Sequence, residues 1–255
     1  MLSKVETIIN LPIAITAAFS TVLVPTISSL MAKNDMEEAN RKLSFSFFIA
    51  LLIALPAAVG LSVISGPILR MIYPAAPEGA LLLTLATIPM VFISLSFVIN
   101  GGLYGLGKVI VPVISLVIGG AVKLILNIVL ISNPNINVYG AVISSIVCQA
   151  IAFGICFYIL NKHIKLKINI VNNVLKPILA VSVMGIAVWG THYLMHGFIG
   201  NTVATLLSMV LGVCIYAFMI FAVKCLSKEE IYMIPFGTKI YPVLVKMKLY
   251  KQESV

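Results

Sequence analysis

GLGKVIVPVISLVIGGAVKLILN, residues 105–127, is an apolar run of membrane-spanning length with a lysine inside it. The run continues to Ile131, so by the rise of an α-helix the Cα of Lys123 lies about 12 Å inside that end. An ionisable side chain at such a depth costs on the order of 2.5–3.5 kcal/mol on insertion scales. Residues that bear this cost face a bundle interior or a watery cavity and mark a pathway. Asn127 follows four residues later on the same helical face, which makes Lys123 and Asn127 the candidate substrate-binding pair.

The surrounding composition fixes the class. Hydrophobic residues make up 61% of the 255 and charged residues 10%, with a mean hydropathy of +1.13. That is far from soluble-domain averages, and the apolar runs consume almost the whole chain. The sequence therefore predicts an all-α polytopic membrane protein, with no length left for a soluble catalytic domain. Seven spans are expected, at residues 8–31, 45–64, 80–102, 109–131, 138–160, 177–193 and 202–223. A net charge of +9 does not imply nucleic acid, because the basic residues lie in the loops between hydrophobic runs.

Those loops set the expected orientation. Of the Lys and Arg residues, fourteen fall on the side reached after the odd-numbered spans, and only Lys4 and Arg70 fall on the other. By the positive-inside rule the first side is cytoplasmic, so the C-terminus is expected inside and the N-terminus outside. An external N-terminus without a cleavable signal reads as the continuation of something that already crossed the membrane: a missing N-terminal lobe or a partner half. The end of the chain, 224–255, mixes lysines with Ile, Tyr, Met, Val and Leu. It reads as a segment lying on the cytoplasmic leaflet, where each lysine near anionic lipid contributes about 1 kcal/mol.

Other chemistry finds little support. Cys148, Cys156, Cys214 and Cys225 lie in or beside apolar runs without CxxC spacing and read as packing residues. His192 and His196 stand four apart, but two ligands with no nearby Cys, Asp or Glu are too few for zinc. GLGK at Gly105 is not a P-loop, so no nucleotide or other cofactor is expected. All eight acidic residues fall outside the seven predicted runs, which leaves no carboxylate pair for an enzyme and no intramembrane acid for proton coupling. Prolines at Pro12, Pro25, Pro56, Pro89 and Pro112, with glycine pairs at Gly101–Gly102 and Gly119–Gly120, suit bending helices around a cavity.

Four stretches carry a family resemblance: NLPIAITAAFSTVLVPTISSLMAKND, SGPILRMIYP, the 105–127 run with its Lys-x-x-x-Asn, and SKEEIYMIPFG. The chain resembles the stage V sporulation protein B group of polysaccharide-biosynthesis flippases. That group belongs to the multidrug/oligosaccharidyl-lipid/polysaccharide exporter superfamily and is similar to the lipid II flippases. The resemblance implies a fold of two six-helix lobes around a central cavity, followed by two extra helices. On that mapping residues 1–160 form most of the second lobe, 161–223 two additional spans, and 224–255 the interfacial tail.

The implied activity is flipping of a lipid-linked peptidoglycan or polysaccharide precursor by alternating access in the bacterial cytoplasmic membrane. Its partners would be a lipid-linked oligosaccharide and membrane lipids. The chain departs from the Gram-negative lipid II flippases at Thr7, where they carry an arginine, so Lys123 is expected to be the only membrane-embedded cation here. Two alternatives stand beside this reading: a cation-coupled small-molecule (drug) exporter of the same superfamily, and a non-transporting membrane scaffold in cell-wall or spore-cortex synthesis.

Overall fold

The computed structural model describes residues 2–132, 136–166, 169, 171–226 and 231. Among the described residues there are eight α-helices: α1 (Leu2–Ala32), α2 (Met36–Val63), α3 (Ser65–Ile72), α4 (Ala80–Gly105), α5 (Ile110–Ile131), α6 (Val138–His163), α7 (Lys176–Ile199) and α8 (Asn201–Ala222). A π-helical turn, Val171–Leu175, leads into α7. All but α3 are long and apolar enough to cross a membrane, and no strand occurs among the described residues. The protein is an all-α, multi-pass membrane protein.

The helices outrun their apolar stretches, most of all at two N-termini. α2 starts nine residues before its hydrophobic run because Asp35 caps it, the carboxylate accepting from the Glu38 backbone N–H at 3.1 Å. Glu38 then pairs with Arg41 at 2.7 Å. α1 begins at Leu2 rather than at residue 8, so Glu6, which stands outside the predicted run, lies within the helix, as Glu37 and Glu38 lie within α2. Two polar residues near this start have protein partners. Thr7 Oγ1 donates to the Ser3 carbonyl at 2.9 Å, and Lys4 Nζ reaches the Ala76 carbonyl at 3.2 Å over the Tyr73 ring. At 31 residues α1 is about 46 Å long, more than the 30 Å hydrocarbon core, so its ends extend into the interfaces or the helix tilts.

The chain falls into two compact units, 1–167 and 168–255. In the first, α4 is the central helix, with Leu83, Met90, Val98, Ile99 and Leu103 buried against α1, α2 and α6. Its crossing with α1 depends on small residues. A Cβ added at Gly101 would lie 2.8 Å from Ser20 Oγ, and one at Gly105 only 2.6 Å from Ile27 Cβ, so the backbones meet where glycine alone fits. Ser20 Oγ donates across this crossing to the Phe97 carbonyl at 2.6 Å. Phe47, Phe92, Phe153 and Phe157 interlock α2, α4 and α6, with ring centroids 5.6–6.5 Å apart.

α5 packs chiefly on α6, held close at Gly119, where a Cβ would lie 2.7 Å from the Cys148 carbonyl oxygen. The first unit is thus a pair α1/α4 and a pair α5/α6, joined through α4 and α6. At one end Asn40 Nδ2 donates to the Lys165 carbonyl, so the basic connections after α1 and after α6 share that end. The contact of Lys4 with Ala76 and Tyr73 places the start of α1 beside the α3–α4 connection.

In the second unit α7 and α8 pair as a hairpin. Gly212 lets Val188 approach, and Thr205 and Ser208 turn their hydroxyls to carbonyls of their own helix. Lys176 Nζ donates to the Lys224 carbonyl at 2.9 Å, which brings the two ends of the hairpin together. The His192 and His196 rings stack at 5.6 Å. The interfacial tail expected at 224–255 lies mostly outside the described residues.

Candidate functional site

Between α1, α4, α5 and α6 lies a cavity of about 490 Å³. Three helices each present a polar pair four residues apart to it, one turn above the other: Glu6 and Asn10 on α1, Lys123 and Asn127 on α5, Ser145 and Gln149 on α6. Ile9, Ile13, Pro89, Ile93 and Val142 supply the apolar walls. Lys123 is half-buried and reaches the cavity from the middle of an unbroken helix. The two residues singled out from the sequence therefore line one cavity together.

Asn127 has a second engagement. Ser144 Oγ donates to Asn127 Oδ1, tying α5 to α6. With its carbonyl oxygen occupied, the amide –NH2 is what Asn127 can offer a ligand, and that suits an oxygen acceptor such as a phosphate or sugar hydroxyl.

Four polar residues of the cavity were not anticipated. Glu6 and Asn10 were missed because the start of α1 is diluted by Lys4, Glu6 and Thr7 and reads as a flank of the apolar run. Ser145 and Gln149 stand inside the run 138–160, and their spacing of four was the available signal. Glu6 and Lys123 are the ionisable residues among those lining the cavity, and no ion pair joins them; among the described residues the ion pairs within 4.0 Å are those of Glu38 with Arg41 and Lys42. A carboxylate and an ammonium that face one cavity without contact form a dipolar wall, which attracts an anion to one side of the cavity and a cation to the other. Thr7, which stands where the resemblance would place a cation, does not line the cavity.

The family description Lipid II flippase MurJ matches residues 1–208. The chain belongs to the MurJ family. Two Bacillus subtilis (strain 168) relatives are similar to it: the lipid II flippase MurJ, 28% identical over 72% of this chain and 34% of that protein, and the uncharacterized membrane protein YabM, 25% identical over 88% of this chain and 42% of that protein. The chain thus spans between a third and a half of the relatives it matches. A solved structure of a lipid II flippase MurJ in an inward closed conformation superimposes with a TM-score of 0.59 at 22% identity, covering 82% of this chain and 43% of that one. It shares the MurJ fold. The match to residues 1–208 takes in α1–α7 and the start of α8, so the cavity lies wholly within the family's common framework.

Proposed function

We propose that this chain forms part of a flippase that moves a lipid-linked peptidoglycan or polysaccharide precursor across the bacterial cytoplasmic membrane by alternating access. In this reading 1–160 is most of one helical lobe, 161–223 adds two spans, and 224–255 lies on the cytoplasmic leaflet. The N-terminus of the chain is outside and the C-terminus inside. The single observation that carries the reading is Lys123, a cation within a helix long and apolar enough to cross a membrane, lining a cavity of about 490 Å³. A lipid carrier's diphosphate is a dense anion that must leave water to cross, and a cation in a low-dielectric cavity attracts it more strongly than one at a surface. Asn127 then donates to a phosphate or sugar oxygen. The protein's part is binding and movement rather than catalysis.

The test is reconstitution into vesicles, following protection of a labelled undecaprenyl-linked sugar. The expected result is flipping that depends on a facing lobe, because alternating access needs one bundle to rock against another around a shared site. This chain alone should move no lipid, and activity should return when the facing lobe is supplied. Glu6 favours a second reading, a cation-coupled small-molecule exporter, since it places a carboxylate in the cavity. Movement of cationic drugs without movement of the lipid-linked sugar would select that reading, and no movement of either by the complete protein would leave the scaffold reading.

A further inference from the structure

Asn127 carries a donor and an acceptor on one amide, so the end it turns to the cavity decides what it can bind there. The –NH2 suits an oxygen anion, and the carbonyl oxygen suits an ammonium or another cation. The two arrangements differ by half a turn of the amide, and α6 makes the choice. Ser144 is fully buried, and its Oγ donates to Asn127 Oδ1. The backbones of α5 and α6 meet closely on either side of this bond. A Cβ added at Gly140 would lie 2.8 Å from Leu130 Cβ, and one at Gly119 2.7 Å from the Cys148 carbonyl oxygen, so the register that sets Ser144 against Asn127 is fixed.

Ser144 has one proton to give and two oxygens in reach, Asn127 Oδ1 and the Ala141 carbonyl at 3.0 Å. The Ala141 carbonyl is already supplied. Within α6 it accepts the backbone N–H four residues on, and Ser145 Oγ donates to it at 2.8 Å. With both lone pairs of that carbonyl taken, the Ser144 proton goes to Asn127 Oδ1. Turning the amide over would set its –NH2 against Ser144 Oγ and send the hydroxyl proton to the crowded carbonyl, a poorer arrangement for a buried group. Asn127 Nδ2, by contrast, has no protein partner among the described residues and is not shut off from solvent.

Lys123 and Asn127 are the residues with which α5 lines the cavity. We propose that Ser144 is a positioning residue: by holding Asn127 Oδ1 against α6 it makes the amide a fixed donor one turn from the Lys123 ammonium. The α5 wall then offers an oxygen anion a charge and a hydrogen bond together, and offers a cation no acceptor. This rests on the flippase reading above, in which the anion is the diphosphate of the lipid carrier. Ser144 itself, buried behind Asn127, touches no substrate and acts through the orientation of its neighbour.

The experiment is a double-mutant cycle on the full-length protein in detergent micelles, read by titration calorimetry with two probes, undecaprenyl diphosphate and dodecylammonium. Ser144→Ala should weaken the diphosphate lipid about three- to tenfold, because the amide is no longer held with its donor outward. The same variant should bind dodecylammonium more tightly, since Oδ1 is free to turn to the cavity. On an Asn127→Ala background Ser144→Ala should cost the diphosphate lipid nothing further, as expected of a residue that acts only through Asn127. Asn127→Asp, which presents an oxygen whichever way it turns, should lose more of the lipid than Asn127→Ala and again be indifferent to Ser144→Ala. An equal loss from Ser144→Ala with and without Asn127 would make Ser144 a packing residue and overturn the proposal. So would no loss from Ser144→Ala in the otherwise wild-type protein. Either result with Lys123 still required for the lipid would leave the flippase reading standing, whereas failure of the wild type to bind the diphosphate lipid at all would overturn both.

Discussion

A lysine inside a membrane-spanning helix persists where its surroundings offset its desolvation, and Lys123 lines a cavity together with five other polar side chains. A purely structural lysine would snorkel to an interface or cap a carbonyl, but a stem of about 6 Å covers only part of the depth of this one. If Lys123 binds the diphosphate, charge is what matters most. Lys123→Arg should keep part of the transport activity, while Lys123→Gln and Lys123→Ala should insert normally and lose most of it. Wild-type flipping by Lys123→Ala at equal membrane abundance would return the residue to a structural role. Glu6 should act in the opposite sense, because a carboxylate lining the same cavity repels the anion that Lys123 attracts. Glu6→Gln is expected to bind the diphosphate lipid several-fold more tightly in low salt and to release it more slowly, and weaker binding would contradict that assignment.

At the scale of the helices, the site depends on α1 and α4 standing backbone to backbone, since α1 carries Glu6 and Asn10, which line the cavity opposite the residues of α5 and α6. Gly105→Ala would put a Cβ 2.6 Å from Ile27 Cβ and should destabilise the protein by about 1–3 kcal/mol, seen as a lower melting temperature in detergent. Gly154→Ala on α6 meets nothing within 4 Å and should leave the melting temperature unchanged or raise it. Equal melting of the two variants would mean that α1 and α4 do not cross as described. How much of this was legible in the sequence follows from what each feature depends on. The spans and the depth of Lys123 were readable because hydropathy is a local property. α3 was not, because eight residues carrying Gly66 and Pro67 read as a loop, and only burial of Ile68 and Leu69 in the fold makes them a helix. The α1–α4 crossing joins Ile27 to Gly105 across most of a lobe, a pairing that no local pattern encodes. Ser96, Asn100 and Gln149 are ordinary in any membrane helix, and only the folding of α4 against α6 brings them to one cavity.

At the scale of the whole molecule, the charge count and the contacts between loops make one prediction about sidedness. The bond from Asn40 to the Lys165 carbonyl puts two basic connections at one end, and the clasp of Lys4 on Ala76 and Tyr73 puts the sparsely basic segments at the start of α1 and before α4 together. A fourteen-to-two division of Lys and Arg then assigns the first end to the cytoplasm. Cysteines introduced at the exposed positions Glu37 and Lys162 should be shielded from an impermeant thiol reagent in intact cells and label after permeabilisation. Cysteines at Pro77 and Ser132, also exposed, should label in intact cells. The native thiols must be removed first, chiefly Cys214, which is exposed on α8. Cys225 is a lesser concern: burial pushes its thiol up to about 11 despite the nearby Lys176 ammonium, so at neutral pH it stays protonated and slow to react. Labelling of Glu37→Cys and Lys162→Cys in intact cells with protection of the other two would invert the orientation. It would also place the end of the cavity nearest Lys123 toward the cytoplasm, so that the lysine would meet the diphosphate where the precursor is loaded rather than where it leaves.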